Sequence, residues 1–125
     1  MQNLNYDQQG EPAHIIVSTL GKMEAAVKGR KPMNLKHLKV IVIDEADIFF
    51  HDDKNFNQLK NFLNCKDIKN RDPQDQVQYV LFSATWPQDD GSGAQQTAEK
   101  RQAEIVEAAQ QIKIKTEKLK LDNIR

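Results

Sequence analysis

The sequence is short of several things, and each shortage narrows what the chain can be. It holds one cysteine, Cys65, in 125 residues. A disulfide framework within the chain and a cysteine-rich zinc site are both excluded. Aromatics make up 6% of it and hydrophobic residues 38%. The core is therefore thin, and a long buried helix bundle is disfavoured. No apolar run approaches the ~20 residues that span a bilayer, so no membrane insertion is expected. The opening Met1-Gln2-Asn3-Leu4-Asn5-Tyr6 has neither the basic flank nor the apolar stretch of a secretory signal. Excess charge is missing too, since 18 Lys and Arg balance 18 Asp and Glu. Overall charge gives no pull toward a polyanion, so any phosphate contact must be local. The length suits one small domain, and the composition fits a reducing, intracellular setting.

What is there alternates between strand-like and helix-like segments, with no internal repeat. Residues 1–13 are polar, contain Gly10 and Pro12, and read as a loose arm. The β-branched run His14-Ile15-Ile16-Val17-Ser18 predicts a short buried strand. Residues 22–28 predict a helix stopped by Gly29 and Pro32. Lys39-Val40-Ile41-Val42-Ile43 is the most strand-like segment, apolar enough to be covered on both faces. Phe56, Leu59, Phe62 and Leu63 fall on one face of a helix. A polar loop follows from Asp67 to Asp75, with Pro73. Val77, Tyr79, Val80, Leu81 and Phe82 predict another strand. Residues 88–93 read as a loop and 95–110 as a helix with a weak apolar stripe. Ile112-Lys113-Ile114-Lys115 alternates at period two, as a strand with one solvated face does. Residues 116–125 read as a charged linker. Strands separated by helices predict an α/β fold with a mostly parallel sheet.

Three clusters at predicted strand ends carry polar chemistry. Asp44-Glu45-Ala46-Asp47 follows Val40–Ile43, where parallel sheets bind ligands. A carboxylate there can hold Mg²⁺ through water, and a neighbouring Glu can orient or deprotonate an attacking water. Such acidic residues equally cap a helix or solvate a turn. Ser83-Ala84-Thr85 ends the next strand, and its hydroxyls can reach a carboxylate on a neighbouring loop or simply close a turn. Thr19-Leu20-Gly21-Lys22 opens a helix, whose free N–H groups can take a phosphate or a cap. His14, His37 and His51 lack metal-ligand spacing and read as surface or strand-edge residues. Asp52 and Asp53 read as a solvated loop, and Cys65 and Trp86 as packing residues.

The order and spacing of the three clusters resemble the first RecA-like domain of DEAD-box ATP-dependent RNA helicases, over residues 14–87. Thr19-Leu20-Gly21-Lys22 is similar to that family's Thr-Pro-Gly-Arg motif, with Leu20 for Pro and Lys22 for Arg. Asp44-Glu45-Ala46-Asp47 and Ser83-Ala84-Thr85 match two further motifs without change. The segments 112–115 and 121–124 resemble the domain end and linker of the messenger-RNA-export subgroup, which works at the nuclear pore. The resemblance implies a partial RecA-like (P-loop NTPase) domain over 14–115, and a linker over 116–125 toward an absent second RecA-like domain. ATP and Mg²⁺ would be used and RNA bound, in the cytoplasm, the nucleus or both. By the same resemblance, Asp44 contacts Mg²⁺ through water and Glu45 is the catalytic residue acting on water. Asp47, Ser83 and Thr85 couple nucleotide state to RNA. Thr19, Gly21 and Lys22 touch the RNA backbone, Lys22 without the planar fork of Arg.

Several of the family's elements have no match: the adenine-reading Gln motif, the P-loop, two further RNA motifs and the second RecA-like domain. No Gly-x-x-x-x-Gly-Lys-Ser/Thr string occurs, so the chain supplies no phosphate-cradling P-loop. In the family, the strand leading into that loop lies beside the Ser-Ala-Thr strand. Residues 77–82 are therefore expected to carry an open edge here. Gln88 to Gln96 reads as an insertion that leaves the following helix poorly defined. The chain is expected to be the C-terminal half of a first domain, through truncation, a split gene model or degeneration, and inactive alone. Its partners would then include an upstream half. Two readings stand: a fragment of a working helicase, or a non-catalytic interaction module descended from one.

Overall fold

The computed structural model describes residues 13–85 and 91–105. Helix α1, Leu20–Lys28, follows the extended Thr19 and stops at Gly29. Ala25 and Ala26 favour it, and Lys28 bridges Glu24 one turn back at 2.5 Å. Strand β1, Val40–Ile43, comes next. It is followed by α2, Ala46–His51, and α3, Asp53–Leu63. Asp52 separates these two helices with an extended backbone, and its carboxylate accepts the Asn55 amide at 2.8 Å to cap α3. A single turn, α4 (Lys66–Lys69), and a 3₁₀ turn, Pro73–Asp75, lead to strand β2, Gln78–Leu81. Helix α5, Ala94–Ile105, closes the described chain.

β1 and β2 pair in parallel, with Val40 opposite Gln78 and Ile43 opposite Leu81. The fold is thus α/β, with a parallel sheet and flanking helices consistent with a partial RecA-like domain. Ile41, Ile43, Tyr79 and Leu81 face the helix layer and join one core with Phe50, Phe56, Leu59, Phe62, Leu63, Ile68 and Ala98. Phe56, Leu59, Phe62 and Leu63 are the buried stripe of α3, as their spacing predicted. α5 packs against α2 and α3, and α1 against α3. Cys65 is half-buried where α3 meets α4, packed against this core.

Several expectations are corrected. Residues 14–18 form no strand. They pair with neither described strand, and Ile15 and Val17 are 85% and 93% exposed. β1 is not covered on both faces, since Val42 is 60% exposed and all described helices of the core lie on the other side. The polar stretch 67–75 is no open loop. It begins within the α4 turn and ends in the 3₁₀ turn, fixed by Arg71. The helix after Ser-Ala-Thr is well formed from Ala94, so 94–96 belong to it, whereas 106–110 of the predicted helix and all of 112–125 lie outside the described residues.

Arg71 is the least expected anchor. Its side chain is 4% exposed. Its guanidinium donates to the carbonyls of Leu35, Leu38, Asp67 and Asp75, with Nε to Asp67 at 2.7 Å. Five N–H donors in a fixed fork allow one side chain to satisfy several carbonyls at once. Asp67 returns a bond, accepting the Leu35 amide at 3.0 Å. Arg71→Ala takes a donor from each of these carbonyls, of which that of Leu35 keeps the Leu38 amide, and we expect a loss of about 3 kcal/mol. Arg71→Lys, with one point of contact, should recover little of it. Urea unfolding of the two variants checks this, and a midpoint equal to the parent's would refute the anchoring role.

Candidate functional site

The carboxyl ends of β1 and β2 are joined beyond the regular ladder. The Phe82 amide donates to the Ile43 carbonyl, and the Phe82 carbonyl accepts the Ala46 amide, both at 2.9 Å. These two bonds hold residues 44–47 beside residues 82–85. Sequence inspection gives no sign of this backbone link, because any residue but proline could make it.

Within the acidic turn, Glu45 has φ 51° and ψ 45°, and is the one non-glycine residue of positive φ among those described. A left-handed backbone at a residue with a Cβ costs roughly 1–2 kcal/mol. It is held there by its neighbours. The Glu45 amide donates to Asp44 Oδ1 at 2.9 Å, its carbonyl accepts the Ile48 amide at 3.1 Å, and Ala46 is tied to Phe82. Strain of this kind gathers at functional sites. Asp44 and Glu45 are both exposed.

Asp47 lies in the first turn of α2 and is half-buried. The Thr85 hydroxyl donates to its Oδ2 at 2.6 Å, and the Ser83 hydroxyl donates to the Thr85 carbonyl. The Thr85 bond, helped by Ser83 and nearby backbone amides, holds the Asp47 carboxyl below the usual aspartate range, although partial burial pushes it up. The chain therefore places Asp47, Ser83 and Thr85 in one hydrogen-bonded cluster, with Asp44 and Glu45 on the adjoining turn.

Thr19, Gly21 and Lys22 stand apart at the start of α1, all exposed. Thr19 makes no side-chain cap, and its carbonyl accepts the Met23 amide at 3.1 Å. A side chain at position 21 would come no closer than 3.8 Å to Gln58 Nε2, so this backbone is open to approach. Among the described residues no hydrogen bond or ion pair links this group to the acidic cluster. None of them form a set of three or more His, Cys, Asp and Glu able to cage a metal ion.

Arg101 escaped sequence reading, as an arginine on a helix with a weak stripe gives no positional signal. Its side chain is 16% exposed. It donates to the Phe50 carbonyl at 3.0 Å, pairs with Asp53 and lies 5.1 Å over the Phe56 ring. It thereby holds the carboxyl end of α2, the helix whose first turn carries Asp47. A cavity of about 210 Å³ beside it is lined by His51, Asp53, Thr97 and Arg101, among others. None of the clustered residues Asp44, Glu45, Asp47, Ser83 and Thr85 lines it.

The folded carboxyl of Asp47 titrates below its unfolded value, so its contribution to stability is present above about pH 4. It is lost as pH falls through the lowered folded value. Thr85→Val removes the largest cause and should move the Asp47 carboxyl upward toward ordinary aspartate. A carboxyl-carbon NMR titration reads this, and an unmoved midpoint would show that Thr85 does not govern Asp47.

The DEAD/DEAH box helicase family model matches residues 1–91. An ATP-dependent RNA helicase DBP5 of Scheffersomyces stipitis is 35% identical over 113 residues, covering 90% of this chain and 19% of the relative. An ATP-dependent RNA helicase DBP3 of Ajellomyces capsulatus is 38% identical over 76 residues, covering 60% of this chain and 14% of that protein. A second DBP5, from Gibberella zeae, is 34% identical over 82 residues, 64% of this chain and 15% of the relative. No solved structure matches. The chain thus spans less than a fifth of the length of the curated relatives it matches. With matching sequence over most of the chain, and with two of the family's motifs meeting at the ends of paired parallel strands, this chain belongs to the DEAD/DEAH box helicase family.

Proposed function

We propose that the chain is a piece of the first RecA-like domain of an ATP-dependent RNA helicase, carrying the water-activating and coupling parts of its ATPase site. The observation that carries this reading is the 2.6 Å bond between Thr85 and Asp47 across adjacent strand ends, with Glu45 held in a left-handed turn beside it. A hydroxyl bound to a carboxylate makes a two-position contact between loops. Movement of either loop breaks it, which suits a relay between nucleotide and RNA.

Glu45 is the proposed base. Its exposed carboxylate can accept a proton from water as the water oxygen attacks the terminal phosphorus of ATP and ADP leaves. Asp44 is the proposed metal contact. One of its oxygens takes the Glu45 amide, and the other has no protein hydrogen bond among the described residues. A single hard oxygen ligand in an open setting fits Mg²⁺, which keeps its waters and takes further ligands from phosphates. When bound, the ion would offset charge on the phosphate oxygens. Thr19, Gly21 and Lys22 are the proposed RNA-backbone contacts, using the exposed N–H groups at the start of α1 and the Lys22 charge.

The messenger-RNA-export subgroup, with a place in the nucleus, the cytoplasm or at the nuclear pore, is the proposed branch. It rests on the residues of 112–124 and on the DBP5 relative aligned over 113 residues. The alternative reading, a non-catalytic interaction module, is favoured by one observation: the chain contains no P-loop string. Without those backbone donors no phosphate is positioned before Glu45.

The 125-residue chain alone should release no phosphate from ATP above a Glu45→Gln control, with or without RNA. In a protein that also supplies the P-loop and the second domain, Glu45→Gln should lower turnover by ~10²-fold or more while ATP still binds. Steady-state phosphate release together with nucleotide-binding titrations separates the two effects. Normal turnover in that variant would refute the role given to Glu45.

A further inference from the structure

Helix α2 carries Asp47 in its first turn, yet it is only six residues long and buries two of them, Ala46 and Phe50. Apolar packing has no preferred direction, so it holds the helix in the core without fixing how the helix is turned. The Ala46 amide gives one fixed point, through its 2.9 Å bond to the Phe82 carbonyl. A body held at one point still turns about it. Helix side chains reach about 5 Å from the axis, so a rotation of ~10° moves the Asp47 carboxylate by about 1 Å. A shift of that size ends its 2.6 Å bond to the Thr85 hydroxyl.

The second fixed point is at the other end of the helix. The last carbonyls of a helix have no partner within it. Arg101 of α5 donates to that of Phe50 at 3.0 Å. The same guanidinium pairs with Asp53, at the start of α3, and lies 5.1 Å over the Phe56 ring of α3. α3 is the firm reference here, with Phe56, Leu59, Phe62 and Leu63 all buried. Asp52 stands between the two helices in an extended conformation, so α2 and α3 are not one continuous rod. Arg101 spans this break. Its donors form a planar fork of fixed shape, which lets one side chain hold a carbonyl of α2 and a carboxylate of α3 at a set angle.

Arg101 does not act on Asp47 through its charge. Hydrogen bonds from Thr85, Ser83 and backbone amides hold the Asp47 carboxyl low, and no charged side chain shares in this. What Arg101 can change is the direction in which α2 points.

We propose that Arg101 is a positioning residue for the cluster at the strand ends: it locks α2 onto α3 in the orientation that brings Asp47 to Thr85. Its bearing on function rests on the coupling role proposed above for Asp47 and Thr85. α5, the helix that follows the Ser-Ala-Thr motif in the chain, thereby acts back on that motif's own contact.

Carboxyl-carbon NMR of Asp47 in the 125-residue chain tests this. Arg101→Lys keeps the charge and the stem but loses the fork. It should move the Asp47 midpoint upward by roughly half or more of the shift that Thr85→Val produces, and should add nothing in a chain already carrying Thr85→Val. Asp53→Ala, at an exposed side chain, removes the anchor on α3 without touching the core. It should also move the midpoint upward, although loss of a nearby negative charge alone would move it downward. Glu104→Gln removes the bridge from Lys60 that ties α5 to α3 and should leave the midpoint in place. The proposal is overturned if the midpoint is unmoved in folded Arg101→Lys or, should that variant not fold, in Asp53→Ala. It is overturned too by an unmoved midpoint in Thr85→Val, by a further rise from Arg101→Lys in the Thr85→Val chain, or by an equal rise in Glu104→Gln, which would credit the docking of α5 as a whole. The reading of the site as part of an ATPase fails separately, through normal turnover in Glu45→Gln.

Discussion

The Arg71 guanidinium sits near the amino ends of both strands, and much at their carboxyl ends follows from it. It binds carbonyls at Leu35 and Leu38, just before β1, and at Asp75, just before β2. Both strands are thereby started from one point. Four residues of ladder later they end level with each other, and Phe82 clasps Ile43 and Ala46. A slip of one residue would exchange the inner and outer faces of a strand and part Thr85 from Asp47. The register of a few carbonyls at one end thus sets a 2.6 Å contact at the other.

Local pattern told most about the parts that rely on local physics. The apolar spacing of Phe56, Leu59, Phe62 and Leu63 predicted a buried helix face, and residues 39–43 and 77–82 predicted strands that form over Val40–Ile43 and Gln78–Leu81, because side-chain period alone decides such elements. It told least where a distant partner decides. Ile15 and Val17 have the composition of a strand, yet a strand exists only with a paired neighbour, and among the described residues this run pairs with none. Val42 looks buried by type and is open by position, since no described helix of the core lies on that side. The two structural arginines were illegible for the same reason. Arg71 and Arg101 act on carbonyls 33 to 51 residues away, and no spacing rule announces such a pairing.

The candidate site was legible as three motifs but not as an arrangement. Residue types marked 44–47 and 83–85 as chemistry, while the link through Phe82 is made by backbone alone. The zero net charge also conceals a local asymmetry. Between Glu24 and Asp44 there is no acidic residue, although Lys28, Arg30, Lys31, Lys36 and Lys39 fall there. Asp44, Glu45, Asp47, Asp52 and Asp53 crowd the ten residues that follow Ile43. Charge is neutral in sum and separated along the chain, so forces on an approaching polyanion differ between these two stretches.

The left-handed turn at Glu45 bears on how this chain drifts through mutation. Glycine, or to a lesser degree asparagine, fits that backbone more comfortably than glutamate does. In a lineage that had ceased to use the carboxylate, replacement at position 45 would raise stability and meet no opposition. Glutamate persists against that gradient only while something else selects for its side chain. Position 45 therefore works as a clock for disuse, one that the well-packed Phe50 or Leu59 could not provide, because folding alone would keep them.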